Sequence, residues 1–525
     1  MTKEHNLFEK SLHKSSYLVK KWGEQGPSGK ASLRELLTID GISMWDVMAV
    51  ELALYHVPDG LAKTPGHRSL RQILTSYLRP LKYALRKKAS IDNSDCSRWP
   101  SGSTVLFLGF TRYLARDVLQ PIVDMLLRET GLTPVMLTEE LTPLSEANTS
   151  THSVHRHRGR DAVRDAHQLA KSIRKATSMV FDEDRYRRIF EDESRQLWSL
   201  IKEGIFRALK VQAGFHLPDT IAVARHILTA HRPAAIVSID VADPRTRVYS
   251  ILGKTLGIPT VQVQSGVVDQ GVVEWQFLHD DIIAAQGEQA RDVFLSHGVP
   301  PEKIVVTGNP RHDRLIRATD HEIRAFRNRF GVPSGNRTVV LASSYFLDVH
   351  EKYLAETGGL LRTMKKAMFV AAATVPGVSL IVKPHPLENV AETRTMAADY
   401  SDISFAEPGE DIRALARVCD AFFSFGSTAT LDAVILEKPT VCPAFPGWMF
   451  SDAFIRTGAV MPARSVGDII AAFTEIATDG GAGIISRHAT KRSEYLSSVV
   501  RDGGKGATRR IVELLKTITQ PEIRE

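Results

Sequence analysis

The 525-residue sequence has few cysteines and no long apolar run. Cys96, Cys419 and Cys442 are an odd set without CxxC spacing, so a disulfide framework is not expected and a reducing compartment fits best. No run approaches the ~20 apolar residues that are needed to span a bilayer. The first residues, Met-Thr-Lys-Glu-His-Asn, lack the apolar core of a signal peptide. We therefore expect a cytoplasmic protein whose contact with the inner membrane, if there is one, is peripheral.

The charge is mild and shows no clustered basic stripe. The formal net charge is +7 and the sequence pI is about 9.1. A hydrophobic content of 43% and a charged content of 24% are those of an ordinary soluble globular protein. This balance suits an anionic ligand or an anionic membrane surface, but it is far from a nucleic-acid-binding signature. No nucleic-acid partner is expected.

Strand and helix patterns alternate along most of the chain. Short apolar runs such as Thr104–Gly109 and Ala234–Asp240 predict buried strands, and segments of helical period follow them. This alternation favours parallel sheets with helices on both faces. The predicted fold class is α/β, with two doubly wound, Rossmann-like parallel-sheet domains that face a cleft and a helical N-terminal extension. The predicted boundaries are 1–100 for the basic extension, 101–315 for the N-terminal Rossmann-like domain, 316–505 for the C-terminal Rossmann-like domain and 506–525 for a C-terminal helix.

The N-terminal extension is rich in basic residues. Helices are predicted over Ile42–Tyr55 and, with a kink at Pro80, over Leu70–Lys88. An amphipathic basic helix can lie on anionic lipid or hold an anionic acceptor, so a peripheral membrane contact is one interpretation of the second helix. A solvated charged face over an apolar core stripe is the other.

Two stretches before the second domain give weaker signals. Thr142–Arg160 is polar, and its His152, His155 and His157 match no standard zinc spacing, so a mobile loop is predicted. Residues 161–230 combine many charges with periodic apolar residues and predict continuous helix.

One ligand-binding signal lies at Pro384-His385-Pro386. The apolar run Ser379–Lys383 predicts a buried strand that stops there, and the flanking prolines hold His385 outside helical space. The imidazole is then presented at the carboxyl end of a strand, beside the Lys383 ammonium. An ordinary rigid turn is the alternative interpretation.

A second signal follows at Gly426-Ser427-Thr428. A strand over Ala421–Phe425 breaks at the glycine, and a helix over Ala429–Glu437 begins after the two hydroxyl residues. Helix N-termini bind phosphate, and open parallel sheets bind ligands outside the carboxyl ends of their strands. We therefore expect Lys383, His385 and this helix end to form a pocket for a phosphate-bearing ligand, with a simple helix cap as the alternative.

Other patterns limit the cofactors. Gly109-Phe-Thr-Arg-Tyr is not the GxGxxG fingerprint of dinucleotide binding, although Thr111 and Arg112 in it are candidates for contact with an acceptor. No DxD-like carboxylate pair lies in a plausible metal-binding context. We predict no cofactor and no metal in the reaction.

Four motifs together resemble a known group of enzymes. They are Gln264-Ser-Gly266, Thr307-Gly-Asn-Pro310 with Asp313, Lys383-Pro-His-Pro386 and Ser427-Thr-Ala-Thr-Leu-Asp432. The combination resembles the bacterial surface-polysaccharide glycosyltransferases of the GT-B fold, the capsule and lipopolysaccharide enzymes that carry an HP motif. The similarity covers residues 230–515 and, more loosely, 100–230. Members of this group often have Gln-His-Gly where this chain has Ser265, and Glu where it has Asp432.

Two related groups share part of the pattern. The non-hydrolysing UDP-N-acetylglucosamine 2-epimerases have a similar Thr307-Gly-Asn-Pro310 motif with Asp313, but they carry paired glutamates where this chain has Gly426–Asp432. Glycerophosphotransferases of the teichoic-acid type also pair histidine motifs on this fold. A non-catalytic module that binds a nucleotide sugar is the alternative from a different class.

The resemblance implies transfer of a sugar from a nucleotide-activated donor to a cell-surface polysaccharide or a lipid-linked glycan. The N-terminal domain would hold the acceptor and the C-terminal domain the nucleotide-sugar donor. The implied donor-binding residues are Lys383, His385, Gly426, Ser427, Thr428, Asp432 and Asn309. The candidates for the acceptor or cleft loops are Thr111, Arg112, Gln264, Ser265, Gly266 and Asp269.

Two residues are expected to carry the chemistry. His385 would stabilise the charge that develops on the leaving nucleoside phosphate. The acceptor hydroxyl needs a base on the opposite domain, and Asp243, which follows a strand end, is the first candidate. Asp269 is the second candidate, and Asp240 is interpreted as a structural acid. The alternative role for Asp243 is to cap the helix that follows it.

Overall fold

The computed structural model describes residues 3–56, 99–139 except 101, 150–344 except 270, 357–446 except 387, residue 448, and 451–520. The basic helix predicted over Leu70–Lys88 lies outside these residues, so its membrane contact stays a prediction. Within the described ranges, no single helix is both long and apolar enough to cross a membrane. One consecutive pair, Val466–Asp479 and Ala482–Val499, reaches that length and composition jointly, with a bend of 107° between the two helices.

The chain forms two compact units. The first comprises Glu9–Arg311 and Gly506–Glu525, and the second comprises Met1–Phe8 and His312–Lys505. The chain therefore completes the second unit before its last helix returns to the first.

A parallel sheet forms the centre of the first unit. The strands of this unit are β1 (Thr38–Ile39), β2 (Ile42–Ser43), β3 (Thr104–Leu108), β4 (Thr133–Thr138), β5 (Ser150–Ser153), β6 (Glu191–Asp192), β7 (Arg195–Gln196), β8 (Ala235–Ser238), β9 (Thr260–Val263), β10 (Ile282–Ala285) and β11 (Ile304–Val306). Seven of them form one sheet in the order β11-β10-β9-β8-β3-β4-β5, and each neighbouring pair is parallel. The chain moves from β3 through β4 to β5 on one side and resumes at β8 on the other. The switch point between β3 and β8 is where open parallel sheets bind ligands.

Helices cover both faces of this sheet. They are α1 (Lys3–Glu24), α2 (Leu33–Leu36), α3 (Met44–Val47), α4 (Ala49–Glu51), α5 (Arg112–Leu114), α6 (Gln120–Glu129), α7 (Arg160–Asp182), α8 (Asp184–Arg187), α9 (Trp198–Phe206), α10 (Leu217–His231), α11 (Pro244–Thr255) and α12 (Glu288–Ser296). Alternate residues of β3 enter different cores, because successive side chains of a strand point to opposite faces. Leu106 and Leu108 pack with buried residues of α7 and α10, whereas Val105 and Phe107 pack with those of α6.

Two predictions in this unit are wrong and a third is confirmed in part. The helix predicted over Ile42–Tyr55 is confirmed from Met44 onward, but its first two residues form β2, because Asp40-Gly41, with φ of 50° and 82°, forms a tight turn that pairs β2 with β1. The loop predicted over Thr142–Arg160 contains β5, a parallel edge strand, in its described part. The continuous helix predicted over residues 161–230 is interrupted by the β6–β7 hairpin, whose turn residues Glu193 and Ser194 have positive φ.

The second unit repeats the parallel-sheet architecture. Its strands are β12 (Arg337–Ala342), β13 (Val378–Lys383), β14 (Ile403–Phe405), β15 (Ala421–Ser424), β16 (Thr440–Pro443) and β17 (Met461–Ala463). They form one parallel sheet in the order β14-β13-β12-β15-β16-β17, with the switch point between β12 and β15. The edge strands β14 and β17 are three residues each and were not predicted, because they contain no continuous apolar run.

Helices also cover both faces of the second sheet. They are α13 (Asp320–Arg329), α14 (Thr357–Thr374), α15 (Val390–Ala397), α16 (Ile412–Val418), α17 (Ala429–Ile435), α18 (Asp452–Ile455), α19 (Val466–Asp479) and α20 (Ala482–Val499). In β12, Val339 and Leu341 pack with buried residues of α14 and α19, and Val340 packs with those of α16 and α17. The two parallel-sheet units confirm the predicted α/β fold class, and the cleft stays a prediction.

The last helix, α21 (Ala507–Thr519), belongs to the first unit. Its apolar face joins the core beside β3 and α6. Arg510 Nε donates to the carbonyl of Thr307 at 2.6 Å. Gly308 has a φ of 85°, and a Cβ on it would lie 3.0 Å from the Ala507 side chain. The Thr307-Gly-Asn-Pro310 motif therefore needs its glycine for both backbone conformation and helix packing.

Candidate functional site

The candidate site is the carboxyl edge of the second sheet, where β12, β13 and β15 end side by side. Ala342, the last residue of β12, is in register with Lys383 of β13 and with Ser424 of β15. The loops that carry His385 and Gly426-Ser427-Thr428 therefore leave the sheet at one edge. That edge includes the switch point between β12 and β15, which is the usual ligand position in such sheets. The structure thus brings together the two motifs that the sequence singled out.

The turn after β15 depends on Gly426, whose φ of 99° is strained for any other residue. Ser427 donates its N–H to Ser424 Oγ at 3.2 Å, and the two hydroxyl oxygens lie 3.1 Å apart. The Ser427 N–H is therefore bonded within the turn, and the predicted phosphate contact of this helix end stays a prediction. Thr428 is the N-cap residue of α17, and its side chain makes no capping hydrogen bond. The half-buried hydroxyls of Ser427 and Thr428 are the groups that this turn presents.

Lys383 has a more structural position than predicted. Its side chain is buried, and Nζ donates to the carbonyls of Pro384 at 2.7 Å and Pro408 at 3.0 Å. These bonds hold the end of β13 against the loop that follows β14. The ammonium still contributes positive charge to the carboxyl edge.

His385 is half-buried, and its imidazole is held in the neutral form. Burial and, to a smaller extent, the nearby Lys383 charge lower the pKa of His385 to about 4. A neutral imidazole can still donate one hydrogen bond to a phosphate oxygen, but it adds no charge near pH 7. Its expected role as a hydrogen-bond donor stays a prediction.

Glu388 fixes the loop that carries His385, and the sequence analysis missed it. One carboxylate oxygen, Oε2, accepts the His385 N–H at 2.9 Å. The other, Oε1, accepts from Lys365 Nζ at 2.6 Å, from Thr393 Oγ1 at 2.6 Å and from Ser343 Oγ at 2.9 Å. The Glu388 and Lys365 side chains are only 4% and 7% exposed, so they form a buried ion pair. This pair joins α14, α15 and the loops after β12 and β13.

Asp432 was predicted to accept hydroxyls of the donor. In the structure its carboxylate is fully buried in α17, and Oδ1 lies 3.6 Å from Nε2 of the equally buried His312. Direct contact between Asp432 and a donor stays a prediction, and it would need the helix or the His312 side chain to move.

Asn309, which was predicted to bind the donor, lies at the carboxyl edge of the first sheet. It is fully buried, and its Nδ2 donates to the Gln264 carbonyl at 3.0 Å. Gln264 in turn donates to the Gly266 carbonyl at 2.7 Å and accepts the Gln286 N–H at 2.8 Å. These amides connect the loops after β9, β10 and β11. In the structure Asn309 and Gln264 fix these loops, and their predicted contacts with a ligand stay predictions.

The remaining loop candidates lie beside this network. Ser265 and Gly266 are half-buried, and Asp269 Oδ1 accepts the Gly271 N–H at 2.9 Å, which shapes the next turn. Arg112 is exposed at the start of α5. Their predicted contacts with an acceptor stay predictions.

Asp243 is the N-cap of α11, as the alternative interpretation proposed. Its Oδ1 accepts the Arg245 N–H at 2.8 Å, and the Arg245 guanidinium holds both carboxylate oxygens at 2.5–3.0 Å. Arg245 also reaches Glu139 at 3.1 Å. Both carboxylate oxygens of Asp243 are therefore occupied by Arg245, and the role of Asp243 as the base stays a prediction.

Asp240 lies at the switch point of the first sheet. Its Oδ2 accepts from Thr111 Oγ1 at 3.3 Å, so the loops after β3 and β8 meet through these two side chains. Burial raises the pKa of Asp240, and the nearby Asp243 charge raises it further. Burial also raises the pKa of Glu274, in the loop after β9, to about 7. Asp240 was interpreted from the sequence as a structural acid, yet its raised pKa makes its carboxylate a candidate proton acceptor.

Metal ligation has no candidate cluster within the described ranges. There, no group of three or more histidine, cysteine, aspartate or glutamate side chains is arranged to hold a metal ion. The predicted metal independence stays a prediction.

Comparison with a family model places the candidate site in a known context. Residues 257–449 match the model described as CDP-glycerol:poly(glycerophosphate) glycerophosphotransferase. This segment contains both His385 and the Gly426-Ser427-Thr428 turn. No curated protein matches the chain.

Solved structures share the fold. UDP-GlcNAc 2-epimerase from Neisseria meningitidis, bound to UDP-GlcNAc, aligns with a TM-score of 0.50 and 14% identity over 79% of this chain and 100% of its own. A putative UDP-N-acetylglucosamine 2-epimerase from Listeria monocytogenes gives 0.50 and 14% over 80% of this chain and 98% of its own. The wall teichoic acid polymerase TagF aligns at 0.49 and 13% over 87% of this chain and 100% of its own, a score too low to carry an argument. The epimerase structures confirm the fold of paired parallel-sheet units.

Proposed function

We propose that the protein is a transferase that takes a glycerol-phosphate-type group from a nucleotide diphosphate donor and joins it to a hydroxyl of a cell-surface polymer. The observation that carries this proposal is the glycerophosphotransferase family model over residues 257–449, which includes the carboxyl edge of the second sheet. The absence of paired glutamates in Gly426–Asp432 counts against sugar epimerisation.

The carboxyl edge of the second sheet offers hydrogen-bond donors for a diphosphate. His385 is neutral, and Ser427 and Thr428 present hydroxyls on the loop after β15, at the same edge of the sheet. Such preorganised donors stabilise a leaving phosphate without the cost of reorienting water. The buried Lys383 ammonium adds positive potential, although its own hydrogen bonds go to carbonyls.

The proposed reaction is a displacement at phosphorus. The acceptor oxygen forms a bond to the phosphorus that carries the glycerol, and the bond from that phosphorus to the bridging oxygen breaks. The nucleoside monophosphate leaves with the electron pair of that bond. The acceptor proton passes to a base, for which Asp240 is the better candidate, because burial raises the pKa of Asp240, whereas both carboxylate oxygens of Asp243 accept hydrogen bonds from Arg245.

Glycosyl transfer from a nucleotide sugar is the second candidate. It is supported by the similarity of Lys383-Pro-His-Pro386 and Ser427–Asp432 to motifs of the surface-polysaccharide glycosyltransferases. In that reaction the bond from the sugar carbon to the phosphate oxygen breaks. The leaving group of a UDP- or GDP-sugar is therefore a nucleoside diphosphate.

The two reactions can be distinguished by their products. The purified protein is incubated with CDP-glycerol and with UDP- and GDP-sugars in the presence of polymer acceptors, and released nucleotides are separated by chromatography. We expect CMP from CDP-glycerol and a new phosphodiester signal in the ³¹P NMR spectrum of the acceptor. Release of UDP or GDP with no new phosphodiester would instead establish glycosyl transfer.

Epimerisation is tested with UDP-N-acetylglucosamine alone in deuterated water. We expect no deuterium at the sugar C2 position, and its incorporation would contradict both transfer proposals. His385→Ala serves as the site control, because the loss of every reaction in this variant would link the activity to the carboxyl edge of the second sheet.

A further inference from the structure

A separate cavity lies at the amino edge of the second sheet. Its volume is about 800 Å³, and its walls include Asp420 and Pro439, which precede β15 and β16. β15 spans Ala421–Ser424, so at about 3.3 Å per residue the cavity is on the order of 10 Å or more from the carboxyl edge. It is therefore distinct from the site proposed for the donor.

The lining of this cavity has an excess of positive charge. Its charged residues are Arg317, Arg417, Lys438, Arg492, Asp420 and Glu437. Both acids already have partners: Asp420 accepts from the Thr338 N–H at 2.7 Å and its hydroxyl at 2.8 Å, and Glu437 pairs with Arg317. Arg417 pairs with Glu322 at 3.0 Å, and Asp420 lies 3.7 Å from Arg337, so Arg492 and Lys438 are the two cations of this lining with no acidic partner among the described residues. Their two positive charges match the charge of a phosphate monoester near pH 7.

Arg492 lies buried in this wall with an incomplete set of partners. Its residue exposure is 6%, and Nη2 donates to the carbonyls of Val434 and Lys438, each at 2.9 Å. Its Nε has no hydrogen-bond partner among the described residues. Lys438 Nζ likewise donates to a backbone carbonyl, that of Cys419 at 2.7 Å. Across the described ranges neither side chain forms a salt bridge.

A buried cation that is bonded only to carbonyls has its hydrogen bonds partly satisfied and no acid in direct contact with its charge. Burial accordingly lowers the pKa of Arg492 to about 10. Proteins ordinarily balance such a charge with an anion, because burying it alone is costly. The remaining wall is apolar and includes Ile485 and Leu496 of α20.

We propose that this cavity is a second ligand site, which binds a phosphate group carried by a partly apolar molecule. Arg492 and Lys438 hold the phosphate, and the α20 side chains contact the apolar portion. The planar Arg492 guanidinium can donate parallel hydrogen bonds to two oxygens, and Arg492 and Lys438 together carry two positive charges. Both features favour a phosphate over a single carboxylate.

Titration calorimetry with inorganic phosphate, against chloride at equal ionic strength, tests the site. We expect binding to the wild-type protein that weakens at least tenfold in Arg492→Lys, which keeps the charge but loses the guanidinium fork. Lys438→Gln removes the second cation and provides an independent variant if Arg492→Lys does not fold. Lys491→Gln is the matched control, since Lys491 is the exposed neighbour on α20 and pairs with Glu494. No binding above the chloride background, or equal weakening in the control, would overturn the proposal.

A further variant separates this site from the proposed donor site. His385→Ala should bind phosphate in the cavity as the wild type does. If His385→Ala loses phosphate while Arg492→Lys and Lys438→Gln keep it, the phosphate lies at the carboxyl edge and the cavity proposal is wrong.

Vesicles identify the source of the phosphate. Sedimentation with phosphatidylglycerol vesicles that depends on Arg492 and Lys438 would indicate a lipid headgroup. Phosphate binding without such sedimentation would indicate a soluble phosphorylated compound.

Discussion

The buried pair Lys365–Glu388 should be the largest single electrostatic contribution to the loop that carries His385. The substitution Glu388→Gln keeps the side-chain volume and one acceptor oxygen, but it leaves the Lys365 ammonium buried without a counter-charge. The two groups are 2.6 Å apart and only 7% and 4% exposed. Breaking a buried pair from one side costs about 3–5 kcal/mol, and the retained amide oxygen favours the lower end of that range. We expect the free energy of unfolding of the second unit to fall by about 3 kcal/mol.

The same two helices provide a matched control. Arg362 of α14 and Glu392 of α15 are 2.7 Å apart but 64% and 41% exposed. Exposed pairs contribute about 0–1 kcal/mol, so Glu392→Gln should change stability by less than about 0.5 kcal/mol. The double variant Lys365→Met with Glu388→Gln removes both charges and should recover part of the loss, with a coupling energy of about 1–3 kcal/mol.

Urea unfolding followed by circular dichroism gives the stabilities, and nucleotide binding gives the effect on the site. Glu388→Gln should also weaken donor binding, because Glu388 holds the His385 N–H. A loss below about 1 kcal/mol, or a loss equal to that of Glu392→Gln, would refute the view that this pair is buried and stabilising.

Three other predictions concern titratable groups. Burial lowers the pKa of His157 to about 3. As the pH falls below about 6.5, the unfolded chain is therefore protonated at this histidine before the folded chain is. The free energy of unfolding is then highest above about pH 6.5 and decreases as the pH falls. At pH 5 the loss should be about 2 kcal/mol, and His157→Phe should remove this pH dependence in thermal melts. His385→Ala should slow transfer by ~10²–10³-fold without unfolding the protein. Because His385 is already neutral, its titration should not appear near pH 6.5 in the pH profile of the wild-type rate. Asp240→Asn should reduce the transfer rate by ~10²-fold or more at unchanged donor affinity. Asp243→Asn should keep the helix cap and most of the transfer rate. A larger loss of rate in Asp243→Asn than in Asp240→Asn would indicate that Asp243 is the base.

The strands and turns that position the candidate site could be predicted because their signals are local. β13 and β15 are short apolar runs, and each is ended by proline or glycine within the next two residues. Such runs need a buried strand, and such residues stop it, whatever the rest of the chain does. The placement of His385 and Gly426 at one sheet edge then follows from parallel pairing. No long-range knowledge was required beyond the doubly wound pattern.

The partners of the charged residues could not be predicted because they are distant in sequence. Lys365 and Glu388 are separated by a helix, a strand and a turn, and their pairing depends on how α14 packs on the sheet. Asp243 makes one interaction that can be predicted from the local sequence and one that cannot. Its cap on α11 is visible from Asp-Pro at a helix start, but the Arg245 clamp that extends to Glu139 requires the loop after β4.

Burial separates two kinds of polar residue that the motifs mix together. Asn309, Gln264 and Asp432 stood in motifs that predicted ligand contact, yet each is fully or almost fully buried with a partner inside its own unit. Half-buried residues such as His385 and Asp240 follow the carboxyl ends of β13 and β8 and keep part of their surface accessible. Because a buried polar side chain must be hydrogen-bonded internally, the first kind fixes the loops and the second can exchange its partners for a substrate. A motif places both kinds of residue within a few positions of each other. Only the packing of each side chain therefore distinguishes a residue that fixes a loop from one that can contact a ligand.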